Sequence, residues 1–414
     1  MRKVFLLFLV CAAALMLFGA VSAQESRLVI WTRYDLTDDN DPNAVTLREK
    51  IAAFEQETGI TVVHEQIAWD LLAPRLSIAV QAGGDVPDIV EAGSQHIPSL
   101  LDAGALSPLD DLLAGQEWMA DLGSGDAQAC VIDGVRYCVA HNVRGGMTYY
   151  RTALFPNGFP QTVAEWLEVA PEMSMDGNVF STQYAGRSYA SIEIMWWPMI
   201  ASNGGSIFDA EGKPAWATPE VAEVVEFGRT LFSNGYFPQL NVTGDFSDAE
   251  APWNNGTAAS FRGGSWSAIF VPGLQASVDS GEVSMTGGVD FGGGPFVFMV
   301  SEGWVVPNGA RNTEAAAAWI NSFFEPAFLA AWAGAQFGIP TLSTAYELTG
   351  FDSAFYASVD AILGEQGLYM QQSPYYVESL DALAAAFQEM MLDPSIDPLT
   401  KLTEVQDEVL RRYW

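Results

Sequence analysis

Two places in this chain put together side chains that can hold a small polar molecule: Tyr34 with Asp35, and Gln95 with His96. A phenol, a carboxylate, an amide and an imidazole supply hydrogen-bond donors and acceptors, which is the chemistry of binding. Bond-breaking chemistry has less support. There is no serine–histidine–aspartate arrangement, P-loop or dinucleotide fingerprint, and three histidines leave little scope for acid–base work. A glycosidase would need one particular pair among 51 acidic residues, and spacing alone nominates none. His64, His96 and His141 show no ligand spacing with the cysteines, so no metal site is expected. Paired phenolates can bind ferric ion, which makes Tyr149-Tyr150 and Tyr375-Tyr376 a rival reading.

Those polar residues need a frame, and the pattern supplies one. Residues 28–31 read as a short apolar strand, followed by a polar loop and by a helix on which Leu47, Ile51 and Phe54 recur at helical spacing until Gly59. A strand at 60–63, a helix at 70–82 with Pro74 in its first turns, and a strand at 88–90 complete a β-α-β-α-β opening. The third strand should end in a polar loop, 91–96, feeding a helix closed by Gly104. Right-handed crossovers put the loops after strands one and three at the same sheet edge, where small ligands sit in open α/β sheets. Tyr34, Asp35, Gln95 and His96 should therefore face one cleft. Farther on, 139–150 reads as a strand leaving the first domain. Helices are expected at 160–170, entered through Thr162, and at 217–234, capped by Thr218-Pro219 and stopped by Gly235. A glycine-rich stretch at 281–295, a strand at 303–307, helices at 313–324 and 326–335, and a helical region at 375–413 complete the chain.

The chain has 414 residues and a formal charge of −33. It opens with Arg2-Lys3, an apolar run at 4–17 and the small residues of Val21-Ser22-Ala23, so residues 1–23 read as a removable export signal. Cys11 lies inside the apolar run, where a lipid-anchored cysteine would not be. The remainder is long enough for two domains with real cores, and no later segment is long and apolar enough to span a bilayer. So acidic a balance excludes nucleic acid as a partner, because phosphate binding needs basic surface. Export also implies an oxidising setting for Cys130 and Cys138, which flank CVIDGVRYC, and a disulfide is expected there. With Asp133-Gly134 as a strict two-residue turn, Cys130 would face Tyr137, so the bridge calls for a longer loop or a bulge.

Taken together, LVIWTRYD, FEQETGITV, GDVPDIV, DAGALSPLDDLL, DGVRYCVAHNVRGGMTYYRTALF, PQTVAEWLEVA, PMIASNGGSIFD, NNGTAASFRGGSW, EGWVVPNGARNTEAAAAWINSF and QFGIPTLSTAYE have a familiar order and spacing. The chain resembles an extracellular solute-binding protein of an ABC transporter, in the group that mostly carries sugars and oligosaccharides. That resemblance implies an α/β fold of two lobes closing on a ligand about a hinge: 24–140 with 303–345, and 141–302 with 346–414. It implies a monomeric receptor without cofactor or catalysis, on the periplasmic or outer side of the membrane, whose partners are a sugar and a membrane permease with its ATPases.

Carried over by position, the resemblance implies ligand-binding roles for Arg33, Tyr34, Asp35, Gln95, His96, Asn142, Arg144, Glu193, Trp196, Trp266, Trp304 and Phe337. Trp266 stands where such proteins place their principal stacking ring, after Gly263-Gly264-Ser265. Ala92 takes a position where some relatives carry another. Trp197, Trp319 and Trp332 belong to the core on this reading. A ferric ion, a polyamine or a glycerophosphate are the alternative ligands on the same scaffold, and a secreted glycosidase the alternative activity. The first tyrosine pair coincides with a strand position of sugar binders, and the second lies far from the implied cleft.

Overall fold

The structure is a computed structural model and describes residues 27–348 and 350–414. The expected export signal at 1–23, with Cys11, lies outside the described residues. β1 (Arg27–Thr32) buries Leu28, Ile30 and Trp31. α1 (Pro42–Thr58) starts where the Asp41 carboxylate accepts a hydrogen bond from the Asn43 N–H, with Pro42 in the first turn, and stops at Gly59, whose φ of 71° is left-handed. β2 (Thr61–Gln66), α2 (Trp69–Gln81) and β3 (Ile89–Gly93) follow, with β2 and β3 parallel to β1 on either side of it. The β-α-β-α-β opening is therefore present. β3 runs three residues past its expected end at Val90, because residues 90–93 pair antiparallel with a strand that returns at 302–305.

β4 (Val139–Arg151) is the longest strand and changes partners along its length. α3 (Val163–Met173) begins with a reciprocal cap between Thr162 and Glu165, and β5 (Val179–Gln183), α4 (Pro219–Ser233), β6 (Ala258–Gly264) and β7 (Val283–Thr286) follow. β7 lies inside the glycine-rich stretch, where no strand was expected. β8 (Val297–Val305) returns, and α5 (Thr313–Phe323), α6 (Pro326–Ala335), α7 (Ala354–Gln366), α8 (Tyr376–Leu392) and α9 (Pro398–Tyr413) close the fold. The main sheet runs β2-β1-β3-β8-β4-β6-β5. Residues 139–145 of β4 pair with β8, and residues 146–151 pair with β6 and β7. Gly145 and Gly146 thus mark the crossing from one half of the molecule to the other. A Cβ on Gly145 would collide with the Phe298 carbonyl, so glycine is required where the two strands approach.

The buried residues fall into three packed clusters. In the first, Leu28, Ile30, Leu47 and Phe54 pack with Trp304, Trp319, Phe323 and Trp332 beneath α1, α5 and α6. The opposite face of that sheet buries Trp31, Leu72, Leu76 and the two cysteines. In the second half Trp166, Phe180, Trp196, Trp197 and Trp216 pack against α4, α8 and α9.

Cys130 and Cys138 are bonded, with Cα atoms 4.8 Å apart. The geometry differs from the expectation of a longer loop or bulge. The hairpin of Val131–Ile132 and Val135–Arg136 has a strict two-residue turn, with Asp133 and Gly134 both at positive φ, and the Tyr137 N–H donates to the Cys130 carbonyl. The bridge still forms because Cys130 is the last residue of the short helix Ser124–Cys130, not a strand residue bound to the hairpin's alternation.

Candidate ligand-binding site

A cavity of about 670 Å³ opens where the two halves meet. From the first half it is lined by Arg33 and Tyr34 after β1, by Asp38, Asn40, Asp41 and Asn43 at the entry to α1, by Trp69 and Asp70 at the start of α2, and by Gln95 after β3. The second half contributes Tyr189, Glu193, Phe246, Trp266, Ile269 and Phe270. Arg144 of β4 and Phe298, Val300 and Glu302 of β8 form the floor at the crossing strands.

Glu302 organises that floor. Its carboxylate accepts two hydrogen bonds from the Arg33 guanidinium, at 2.8 and 2.9 Å, and a third from Arg144. Burial alone would raise the Glu302 pKa, but the charges of Arg144 and Arg33 outweigh it and hold the carboxyl well below the ordinary range. Gln336 fixes the carboxylate from behind: its amide nitrogen faces Glu302 at 2.9 Å, while its oxygen faces the Tyr34 hydroxyl at 3.0 Å and the Trp332 indole at 2.9 Å. The single proton of the Tyr34 hydroxyl has a second acceptor within reach in Glu91, at 3.1 Å. Arg33 is clamped between rings, with its Cζ 4.5 Å from the Trp69 centroid and 4.9 Å from that of Tyr34. The donors on the cavity floor are therefore held by the protein's own contacts, which reduces the ordering cost of binding.

The second half supplies apolar faces. Trp266 is half-buried, follows β6 directly, and lies with its ring 5.6 Å from the Arg144 Cζ. Its indole folds back over Gly264, where a Cβ would run into the ring, and the Gly264 N–H donates to Ser267. This gives a physical reason for the glycine two residues before the tryptophan. Phe270 is 59% exposed and Phe246 41% exposed, both at the cavity wall. Gln95 is buried at the wall, with its Oε1 lacking a partner. An orphaned amide oxygen of this kind is matched by a ligand hydroxyl or a water.

Of the twelve residues singled out from sequence, the structure brings Arg33, Tyr34, Gln95, Arg144, Glu193 and Trp266 to the cavity. The other six are placed elsewhere. Asp35 is exposed and turned back on its own loop, accepting from the Thr37 N–H and hydroxyl. His96 is buried behind the wall with its ring 5.2 Å from Trp69; burial lowers its pKa to about 4, so it props the tryptophan as a neutral imidazole. Asn142 sits beneath the floor, its side-chain amide 2.9 Å from that of Gln336. Trp196 points into the second core against Phe387, because the turn that aims Glu193 at the cavity aims Trp196 away from it. Trp304 lies under α5 against Trp319 and Phe323. Phe337, at a φ of 53° just past α6, packs on Phe355.

Sequence reasoning missed Glu302, Glu91, Gln336, Trp69 and Phe270. Glu302 had a signal, as a lone acid inside the apolar strand VFMVSEGWV of β8. Its arginines lie 269 and 158 residues away in the chain, which hid its role. Tyr149 is buried with its hydroxyl on the Gly264 carbonyl, Tyr375 packs on Tyr413, and neither lines the cavity. Among the described residues no group of three or more His, Cys, Asp or Glu side chains is placed to hold a metal ion. No described helix is long and apolar enough to cross a membrane.

The sequence model for the bacterial extracellular solute-binding proteins matches residues 39–328. Binding proteins of Brucella abortus (strain 2308) and Brucella suis biovar 1 (strain 1330) are each 23% identical over 189 residues, 44% of this chain and 45% of theirs. The chain thus spans about half the length of these relatives. Among solved structures, the GacH receptor of Streptomyces glaucescens GLA.O, known unliganded and with acarbose, superposes over 94% of this chain and 99% of its own, with a TM-score of 0.78 at 15% identity. Maltose-bound MalE3 of T. maritima gives 0.78 at 16% identity over 93% and 99% of the two chains. Mannobiose-bound CpMnBP1 gives 0.77 at 17% identity over 93% and 100%. At these identities the likeness establishes the fold, a mixed α/β, two-lobed architecture with its cleft between the lobes.

Proposed function

We propose, because this chain belongs to the bacterial extracellular solute-binding proteins, that it is the receptor of an ABC importer, capturing a sugar or short oligosaccharide between its lobes and delivering it to a membrane permease. The observation that carries this reading is the composition of one cavity: Trp266, Phe270 and Phe246 on one side, Gln95 and the Arg33–Glu302–Arg144 floor on the other. A sugar has apolar C–H faces and a rim of hydroxyls, and needs both kinds of wall. The space of about 670 Å³ suits an oligosaccharide of a few rings as well as a single one. Fixed charged partners also give selectivity, since an analogue lacking a hydroxyl leaves them unpaired.

The two lobes of the proposal are 24–140 with 303–345 and 141–302 with 346–414, the crossing strands β4 and β8 forming the hinge. Only a ligand that touches both walls shifts the population toward closure, so capture needs no chemistry. On this reading the mature chain is exported, works as a monomer on the outer side of the cytoplasmic membrane, keeps Cys130 and Cys138 oxidised, and takes no nucleic acid. GacH, MalE3 and CpMnBP1 carry acarbose, maltose and mannobiose respectively, which supports a sugar over a ferric ion, polyamine or glycerophosphate.

A thermal-shift screen of the mature chain tests this with maltose, mannobiose, tagatose, spermidine, glycerol 3-phosphate and ferric citrate. A ligand that binds the folded state raises the melting temperature with its excess over Kd. The expected result is a rise with one family of sugars and no new product by chromatography. A rise with only the amine, phosphate or iron would keep the fold and replace the ligand, and consumption of a sugar would make the protein an enzyme.

A further inference from the structure

We propose that Glu193 meets the ligand as a neutral carboxylic acid, donating its proton to an acceptor oxygen of the sugar; this deepens the sugar-receptor reading and rests on it. The cavity holds two buried carboxyls in opposite surroundings. Glu302 has two guanidiniums on it and is an acceptor only. Glu193, 3% exposed, has no cation partner among the described residues; the one hydrogen bond it makes with them comes from the Tyr376 hydroxyl, at 2.7 Å to Oε1. It sits on the single π-helical turn Ile192–Trp196, a distortion that commonly marks functional positions and here tips the side chain toward the cavity.

The charged and titratable groups around it explain why a proton stays. α8 contributes Tyr376 and Asp381, the latter already accepting from the Tyr189 N–H, and the helix that carries Glu193 contributes Tyr189. From the strands behind, Arg144 is committed to Glu302, and Arg262 of β6 is buried with no acid paired to it. Burial raises the Glu193 pKa to about 8, against the Tyr376 hydrogen bond that favours the anion, with Asp381 adding to the rise. With Oε1 taken by Tyr376, the protonated form has an O–H to offer the cavity, complementing the acceptor-only Glu302. Such a pair of carboxyls, pushed apart in pKa by their surroundings, divides donor from acceptor duty within one site.

The sign of the pH effect follows. Below about pH 8 the acid is neutral and its donor is present; above, the donor is lost and a buried anion faces the sugar's oxygens, so affinity falls by up to about tenfold per pH unit. The experiment combines two readouts on the full mature chain. Infrared difference spectra of wild type against Glu193→Gln, without ligand, report the protonated carboxyl band as pH rises, and calorimetric titration with maltose and mannobiose reports affinity over the same range. Gln is isosteric, keeps the acceptor for Tyr376 and carries a permanent N–H donor.

The expected result is a carboxyl band that vanishes around pH 8, sugar affinity that falls with it in wild type, and flat affinity in Glu193→Gln. Tyr376→Phe, which removes the hydrogen bond favouring the anion, should move the loss of the band to higher pH, a shift that mere packing would not produce. Absence of the band at neutral pH overturns the proposal whatever the sugars do. A band with pH-independent sugar affinity removes Glu193 from recognition. A band with neither sugar bound refutes the assignment of this proton to a maltose or mannobiose contact, and the failure then lies with the ligand reading.

Discussion

At the residue scale the site divides its labour between rings and charges. Trp266 is the largest apolar side chain that the second lobe turns to the cavity, and it is only half-buried. Trp266→Ala should weaken sugar binding by about 30-fold or more, the cost of a central aromatic anchor, while leaving the melting temperature of the free protein nearly unchanged. Calorimetry and thermal unfolding of the same variant check both halves; undiminished affinity would remove Trp266 from the site. Trp266 and Arg33 were legible because each follows a strand end within a distinctive local motif. Trp196 and Trp304 were not separable from core tryptophans, since an indole in an apolar run reads the same whether it faces a cleft or a helix. Trp69 was hidden for a simpler reason: it opens α2, where the eye looks for a cap.

At the scale of elements, local signals were read well and long-range pairing poorly. The caps at Thr162 and Thr218 are both formed, because each depends on a residue three positions away. The true length of β3 depends on β8, which arrives more than 200 residues later. So does the floor of the site: β4 and β8 pair with an irregularity between Glu302 and Gly303, where Gly303 lies so close to the Val139 carbonyl that a side chain would not fit.

The Cys130–Cys138 bridge joins the end of a short helix to the start of β4, closing a loop of sequence separation 8. Loop-closure entropy puts its contribution at about 2 to 3 kcal/mol. Urea unfolding of the Cys130→Ala/Cys138→Ala double variant should show a loss of that order. An unchanged midpoint would mean that the small third cluster around the cysteines holds the segment without the bridge.

At the scale of the molecule, one core packs Leu28, Ile30 and Trp319 together with Tyr149, Phe261 and Phe355 from beyond the crossing, another gathers Trp166, Trp196 and Trp216, and the cavity is floored by the crossing strands themselves. On the proposed reading, a bend at Gly145-Gly146, where β4 changes partners, would bring Trp266 and Phe270 toward Gln95 and Trp69. The two-lobed class was legible from the order of strand and helix patterns together with the family resemblance. The chain crosses the middle of the main sheet inside the continuous strands β4 and β8, with no linker composition to mark the place.

The central claim is capture by closure, and small-angle X-ray scattering of the mature chain with and without the sugars maltose and mannobiose tests it most directly. Saturation with a bound sugar should reduce the radius of gyration by about an ångström or so, as hinge closure requires, and the same sugar should be recovered intact. A bound sugar that leaves the radius of gyration unchanged, or one recovered as a product, would contradict the account.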